Sequence, residues 1–158
     1  MYIWNIKSLK EQVRSGRLTE KDRFIYMFLT LIFTVLGIEI ALRIPIESGN
    51  VWDAISSVSS VLIPILGTFL AYKANGAANG TDFLGRYFSI SFVVAVRFFT
   101  LLIPMFALLS AYYMLVIPEN PELVSTASDT LPFIVWQGLL YYQVVKHIGA
   151  VKHSIQAV

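Results

Sequence analysis

The chain has 158 residues, of which 56% are hydrophobic and only 14% are charged. Soluble domains carry roughly 25% charged residues, so this composition excludes an ordinary soluble globular protein and predicts an integral membrane protein. The absence of cysteine excludes disulfides, thiolate metal sites and a cysteine nucleophile.

Residues 1–17 are not expected to be a signal peptide, because charged residues interrupt the apolar core that such a peptide would need. The segment instead predicts an amphipathic helix. One face of this helix is formed by Tyr2, Ile6, Leu9 and Val13. Such a helix fits the headgroup region of a membrane. The alternative is a short cytosolic helix packed on the loops of the protein itself. Gly16 is expected to end the helix, and Thr19 to Asp22 has the pattern of a capping box that opens the next one.

Four apolar segments follow, each with the roughly 20 residues that a bilayer core requires. They run over about residues 24–42, 51–72, 83–117 and 131–147. The predicted fold is therefore all-α: an integral membrane four-helix bundle over residues 18–158, preceded by the amphipathic interfacial helix. Pro64 and Pro104 lie inside the second and third segments, where they predict kinks.

The second segment also carries small residues at a spacing of four. Ser56 with Ser60, and Gly67 with Ala71, would allow close approach of another helix. The pattern predicts helix contacts and leaves open whether the partner helix belongs to the same chain or to another copy.

The distribution of cationic residues predicts the orientation. Six lysines and arginines precede the first span, two lie in the middle connection and two near the C-terminus, whereas Arg43 stands alone in the remaining connections. Because cytoplasmic segments carry an excess of Lys and Arg, both termini are expected in the cytoplasm.

Arg97 poses the main question, since an arginine near the middle of a span costs several kcal/mol unless it meets a partner or water. Glu39 on the first span is within reach of a long arginine side chain, so an ion pair is feasible. The full set of intramembrane polar residues is Glu39, Ser56, Ser60, Arg97, Thr100, Gln137 and Tyr141. Either these residues hold helices together, or they line a water-filled path in which Arg97 favours anions or acts as a gate charge.

The connection between the second and third spans contains two Asn-Gly dipeptides. The residues singled out there are Asn75, Gly76, Asn79, Gly80, Asp82 and Arg86. Asn and Gly tolerate positive φ, so a rigid turn is expected. The alternative is a site for a lipid headgroup, a nucleotide or a partner protein. A P-loop is excluded, because the glycines are too close together and no lysine follows.

Parts of the sequence resemble a recurring pattern in small four-helix bacterial membrane proteins. The resemblance is carried by Arg17 to Phe24, the Asn75 to Gly80 stretch, Asp82 to Leu84, Arg86 and Arg97. It implies a bacterial inner membrane and attaches no activity.

Enzymatic and metal-binding functions are not expected. His147 and His153 are the only histidines, and their spacing does not suit a metal pair. No cofactor and no nucleic acid partner is expected. The sequence instead predicts a small oligomeric ion channel or pore-like membrane effector. The alternative is a non-conducting accessory or scaffold protein that docks a cytoplasmic partner through its basic N-terminal helix and the Asn-Gly loop. Expected partners are the lipid bilayer, anionic lipid headgroups and further copies of the chain.

Overall fold

The structure, a computed structural model, describes residues 1–41, 43, 49–116 and 125–152. These residues are all-helical apart from turns and short connections, as predicted. The helices are α1 (Ile6–Arg14), α2 (Glu20–Ala41), α3 (Val51–Asn75), α4 (Phe83–Val116) and α5 (Ala127–Lys152), with a 3-10 turn over Ala77–Asn79. The predicted ends of the first and third spans, Leu42 and Ile117, and the tail with His153 lie outside the described residues.

Three helices are long and apolar enough to cross a membrane, namely Glu20–Ala41, Val51–Asn75 and Phe83–Leu115. Most of their large apolar side chains are exposed in the single chain. A water-soluble protein rarely exposes so much apolar surface, whereas lipid accommodates it. The coarse prediction of a helical membrane protein is therefore confirmed. The fourth predicted span, residues 131–147, is helical within α5, but its passage through the membrane stays a prediction.

Local sequence explains where the helices begin and end. The predicted capping box at the start of α2 is present: the Asp22 amide donates to Thr19 Oγ1 over 3.1 Å, and the Thr19 amide donates to Asp22 Oδ2 over 3.3 Å. A second capping box, which the sequence analysis did not identify, joins Asn50 and Asp53 at the start of α3. Gly76 ends α3 with a left-handed φ of 112°, which glycine adopts without a steric penalty.

The helices do not form a closed four-helix bundle in the described part of the chain. The most extensive contact joins α3 and α5, which run parallel along their whole length. At one end Asn50 Nδ2 donates to the Ser125 carbonyl over 2.6 Å, and near the other Gly149 lies beside Ala74. Helix α4 packs on α5 and also on α2. Among the other described helices, α2 meets α1 through a hydrogen bond of 3.3 Å from Gln12 Nε2 to Asp22 Oδ2.

The buried core lies at one end of the molecule, which we call the α1 end. It comprises the starts of α2 and α4, the ends of α3 and α5, and α1 itself. Its main buried side chains are Ile6, Leu9, Val13, Tyr26, Ala71, Ile90, Val93, Val144 and Ile148. The apolar face of α1 thus packs on helices of the protein itself, whereas the alternative placement put it on loops. Its residence at a membrane interface stays a prediction.

Candidate functional site around Arg97

Arg97 lies in the middle part of α4, fourteen residues after its first residue, or about 21 Å along the helix axis. Its Nε donates a hydrogen bond of 2.9 Å to the carbonyl of Trp4, and its guanidinium lies 5.6 Å from the centre of the Trp4 ring. A cation above an indole face is attracted by the ring quadrupole. The partners of Arg97 are thus two neutral groups of the N-terminal segment.

Residues 1–17, here called the N-terminal clasp, are fastened to two further helices. The buried Tyr26 hydroxyl of α2 donates to the Tyr2 carbonyl over 2.8 Å and accepts from the Tyr2 amide over 2.7 Å. Arg14 donates to the Ala150 carbonyl of α5 over 2.6 Å. A hydroxyl buried in an apolar core needs such partners. The clasp therefore joins α2, α4 and α5 and holds Trp4 beside Arg97.

Glu39 does not take part in this site. Its carboxylate accepts from Arg43 Nη2 over 2.7 Å, one helical turn away, and its side chain is 57% exposed. Helix α2 contacts α4 through residues such as Tyr26 and Phe33, which pack on Phe92. In the described single chain Arg97 and Glu39 are thus not paired with each other, because each residue has a different partner. The polar interior built around both residues stays a prediction.

The predicted hydroxyl residues satisfy their hydrogen bonds locally. Ser60 donates to the Ser57 carbonyl over 2.8 Å, and Thr100 donates to the Val96 carbonyl over 3.1 Å. Ser56 is exposed and Gln137 is half-buried. Side chains that bond their own helical turn do not need a neighbouring helix or water. These residues therefore do not converge on Arg97.

Tyr141 belongs to a different cluster, at the junction of three helices. Its hydroxyl interacts with that of Tyr87 on α4, which is also 2.8 Å from Thr68 Oγ1 on α3. The Tyr141 ring lies directly against Gly67. The small pair Gly67 and Ala71 is buried and thus makes a contact within the chain, whereas Ser56 and Ser60 are exposed.

The Asn-Gly loop is a rigid turn stabilised by a buried arginine. Arg86, only 4% exposed, donates to Asn75 Oδ1 over 3.0 Å and to Thr81 Oγ1 over 3.2 Å. The Asn75 amide group donates to the Thr81 carbonyl over 3.2 Å, and Gly80 lies close against Asn75. Because Asn75 and Arg86 are both buried inside the loop, they present no open surface to a ligand.

The outer part of the same loop carries the remaining predicted residues. Asp82 forms an ion pair of 2.9 Å with Arg23 of α2, and Asn79 is exposed in the 3-10 turn. Gly85 lies beneath this pair, where a Cβ would meet Asp82 and Arg23 at 3.0 Å or less. The ion pair therefore fastens the start of α4 to the start of α2.

Pro64 and Pro104 lie within continuous helices. Their kinks stay a prediction. No group of three or more histidine, aspartate and glutamate side chains suited to a metal ion occurs in the part of the chain that the structure describes.

The sequence did not indicate that Trp4 is the partner of Arg97 or that Tyr2 is the partner of Tyr26. The hydrogen bond between Trp4 and Arg97 joins positions 93 residues apart. The only signal was the apolar character of both residues beside an amphipathic helix, and that signal does not indicate which span they contact.

Comparison of the chain with known protein families, curated proteins and solved structures gave no match. The chain's own geometry is therefore the basis on which a function can be inferred.

Proposed function

We propose that the chain is a non-enzymatic subunit of a larger membrane assembly, an oligomeric ion channel or pore-like effector of a bacterial inner membrane, with both termini in the cytoplasm. The supporting observation is the incomplete packing of the single chain. In the described residues α4 is the only long helix on which α2 packs, and large apolar side chains of α2, α3 and α4 are exposed. Four short spans enclose little space by themselves, so a conducting path needs several copies.

In this proposal Arg97 supplies the charge that controls ion passage. Its described partners, the Trp4 carbonyl and indole, are neutral, so its positive charge is not cancelled. An uncompensated cation inside a span attracts anions and repels cations. The clasp that covers Arg97 acts as the gate, because its displacement would free the guanidinium.

The test uses purified protein alone, reconstituted into liposomes for ion-flux measurement and into nanodiscs for mass photometry. We expect three or more copies per disc and an ion flux whose preference for anions over cations Arg97→Gln reduces at least several-fold. The matched control is Arg43→Gln, which removes an arginine paired with Glu39 and should leave the flux unchanged. A monomer or dimer without flux would contradict the channel.

The second candidate is a non-conducting accessory protein that docks a cytoplasmic partner. It is favoured by α1, whose apolar face is buried while Lys7, Glu11 and Arg14 are exposed. A cationic outer surface suits an acidic partner. Charge reversal at Lys7 and Arg14 should then abolish association in cells, and the purified protein should not conduct.

A further inference from the structure

Four residues from three helices form a cationic cluster beside the clasp. Helix α1 packs across α4 and α5, because Arg14 donates to the Ala150 carbonyl of α5 and Trp4, just before α1, accepts from Arg97 of α4. Lys10 lies on α1 between these two anchors, and Lys146 and His147 lie about one turn before Ala150. In agreement with this placement, Lys10, Arg97 and Lys146 all act electrostatically on His147. Lys10 contributes from α1, Arg97 from α4, and Lys146 from α5. Three permanent positive charges therefore lie along the line on which the clasp crosses α4 and α5.

Carboxylates do not neutralise this cluster. None of the ion pairs in the described residues involves Lys10, Arg97 or Lys146. The acidic residue of α1, Glu11, instead faces a small hollow that it shares with Tyr2, Ser8, Gln12 and Arg17. Like charges held together without a counter-charge repel each other, so the cluster favours an anion.

Exposed apolar side chains border the cluster. Trp4 and Ile3 are each 54% exposed and Tyr2 is 40% exposed, and the Trp4 ring lies against Arg97. Tryptophan and tyrosine beside lysine and arginine are typical of the headgroup depth of a membrane. A free phosphate would use only the charges, whereas a phospholipid would also cover the apolar border.

We propose that Lys10, Arg97, Lys146 and His147 form a binding site for the phosphate of an anionic phospholipid headgroup. The acyl chains would lie along the exposed Tyr2, Ile3 and Trp4 side chains. This site does not depend on conduction, because a lipid can bind between α1, α4 and α5 of a single chain.

The site is tested by titrating delipidated full-length protein in detergent with phosphatidylglycerol or phosphatidylcholine and counting bound lipids by native mass spectrometry. In Lys10→Gln/Lys146→Gln we expect phosphatidylglycerol affinity to fall about 25-fold, about fivefold for each removed charge, with phosphatidylcholine binding unchanged. The matched control, Lys7→Gln/Lys21→Gln, removes two exposed lysines outside the cluster and should change the affinity less than twofold.

Equal losses in the two double variants would overturn the site, since they would indicate general surface attraction. Inorganic phosphate that displaces phosphatidylglycerol at equal concentration would overturn the lipid assignment in favour of free phosphate. If the double variant does not fold, the single variants Lys10→Gln and Lys146→Gln decide, each with an expected fivefold loss. Lys10→Arg/Lys146→Arg keeps the charge and must keep the binding.

Discussion

The two ends of the molecule differ in how their helices are held together. At the α1 end every long helix contributes buried side chains to the same core as α1, among them Tyr26, Ala71, Val93 and Ile148. At the other end, large apolar side chains such as Ile40, Leu108 and Met114 are more than half exposed. Large apolar side chains occur at both ends, so their presence alone does not explain the difference.

Helix α1 provides the explanation. It packs on α4 and α5 and buries Ile6, Leu9 and Val13 in the core. The long helices are apolar on all sides and therefore have no intrinsic preference for one contact face. Contacts form where an extra element fills the space or where small residues permit close approach. Elsewhere the helices are left to lipid or, as we propose, to neighbouring chains.

The largest expected effect is the loss of packing at the centre of the α1 end. Leu9 is fully buried, so Leu9→Ala should lower the free energy of unfolding by about 2–5 kcal/mol through lost burial and a residual cavity. Leu36→Ala is the control, because Leu36 is 52% exposed and the same truncation there leaves no cavity. Thermal unfolding in detergent measures both. Similar losses in the two variants would mean that α1 contributes nothing special to the core.

A smaller effect is expected in the Asn-Gly loop. Asn75→Ala removes a hydrogen-bond acceptor from the buried Arg86 and should destabilise the protein by about 1–3 kcal/mol. Asn79→Ala, at an exposed position of the same loop, should change stability by less than about 0.5 kcal/mol. Equal effects in denaturant titrations would contradict the network around Arg86.

At the contact between α3 and α5, a glycine-to-alanine substitution should lower the stability, whereas the same substitution at an open position should not. A Cβ at Gly67 would overlap the Tyr141 ring, so Gly67→Ala should lower the stability by about 1–2 kcal/mol. Nothing lies within 4 Å of a Cβ at Gly37, so Gly37→Ala should leave stability unchanged or raise it by up to about 1 kcal/mol. Unfolding temperatures that move in the same direction would show that α3 and α5 are not in close contact.

Much of the architecture could be predicted from the sequence because the apolar runs are long and local signals mark their ends. The helical class and the Thr19 to Asp22 capping box were both predicted and are present. The rigid turn at the Asn-Gly loop was also predicted. These features depend on neighbouring residues, whose physical preferences are strong enough to decide the outcome.

The partner of Arg97 could not be predicted, because it depends on how helices distant in sequence pack together. Depth along a span suggested Glu39, but depth does not define which faces meet, and Glu39 instead bonds Arg43 on its own helix. The same limit applies to Tyr141, which was expected near the depth of Arg97. Its hydroxyl instead interacts with Tyr87, which is also bonded to Thr68. Helices that are apolar on all sides carry no periodic signal that would have indicated these pairings.

The smallest expected effect tests whether Glu39 and Arg97 act on each other at all. Glu39→Gln removes one partner of an exposed ion pair and should cost less than about 1 kcal/mol. Because the two residues have separate partners, the effects of Glu39→Gln and Arg97→Gln on unfolding should add to within about 0.5 kcal/mol.

A second double-mutant cycle, between Glu39 and Arg43, serves as the reference, since those side chains do touch and should show measurable coupling. Coupling of Glu39 with Arg97 that exceeds this reference would mean that the two charges face each other, within one chain or across an assembly. Additive effects would instead mean that Arg97 interacts with the clasp and not with Glu39. Arg97→Gln should then speed proteolysis of residues 1–17, because Arg97 bonds Trp4. Glu39→Gln should leave that proteolysis unchanged.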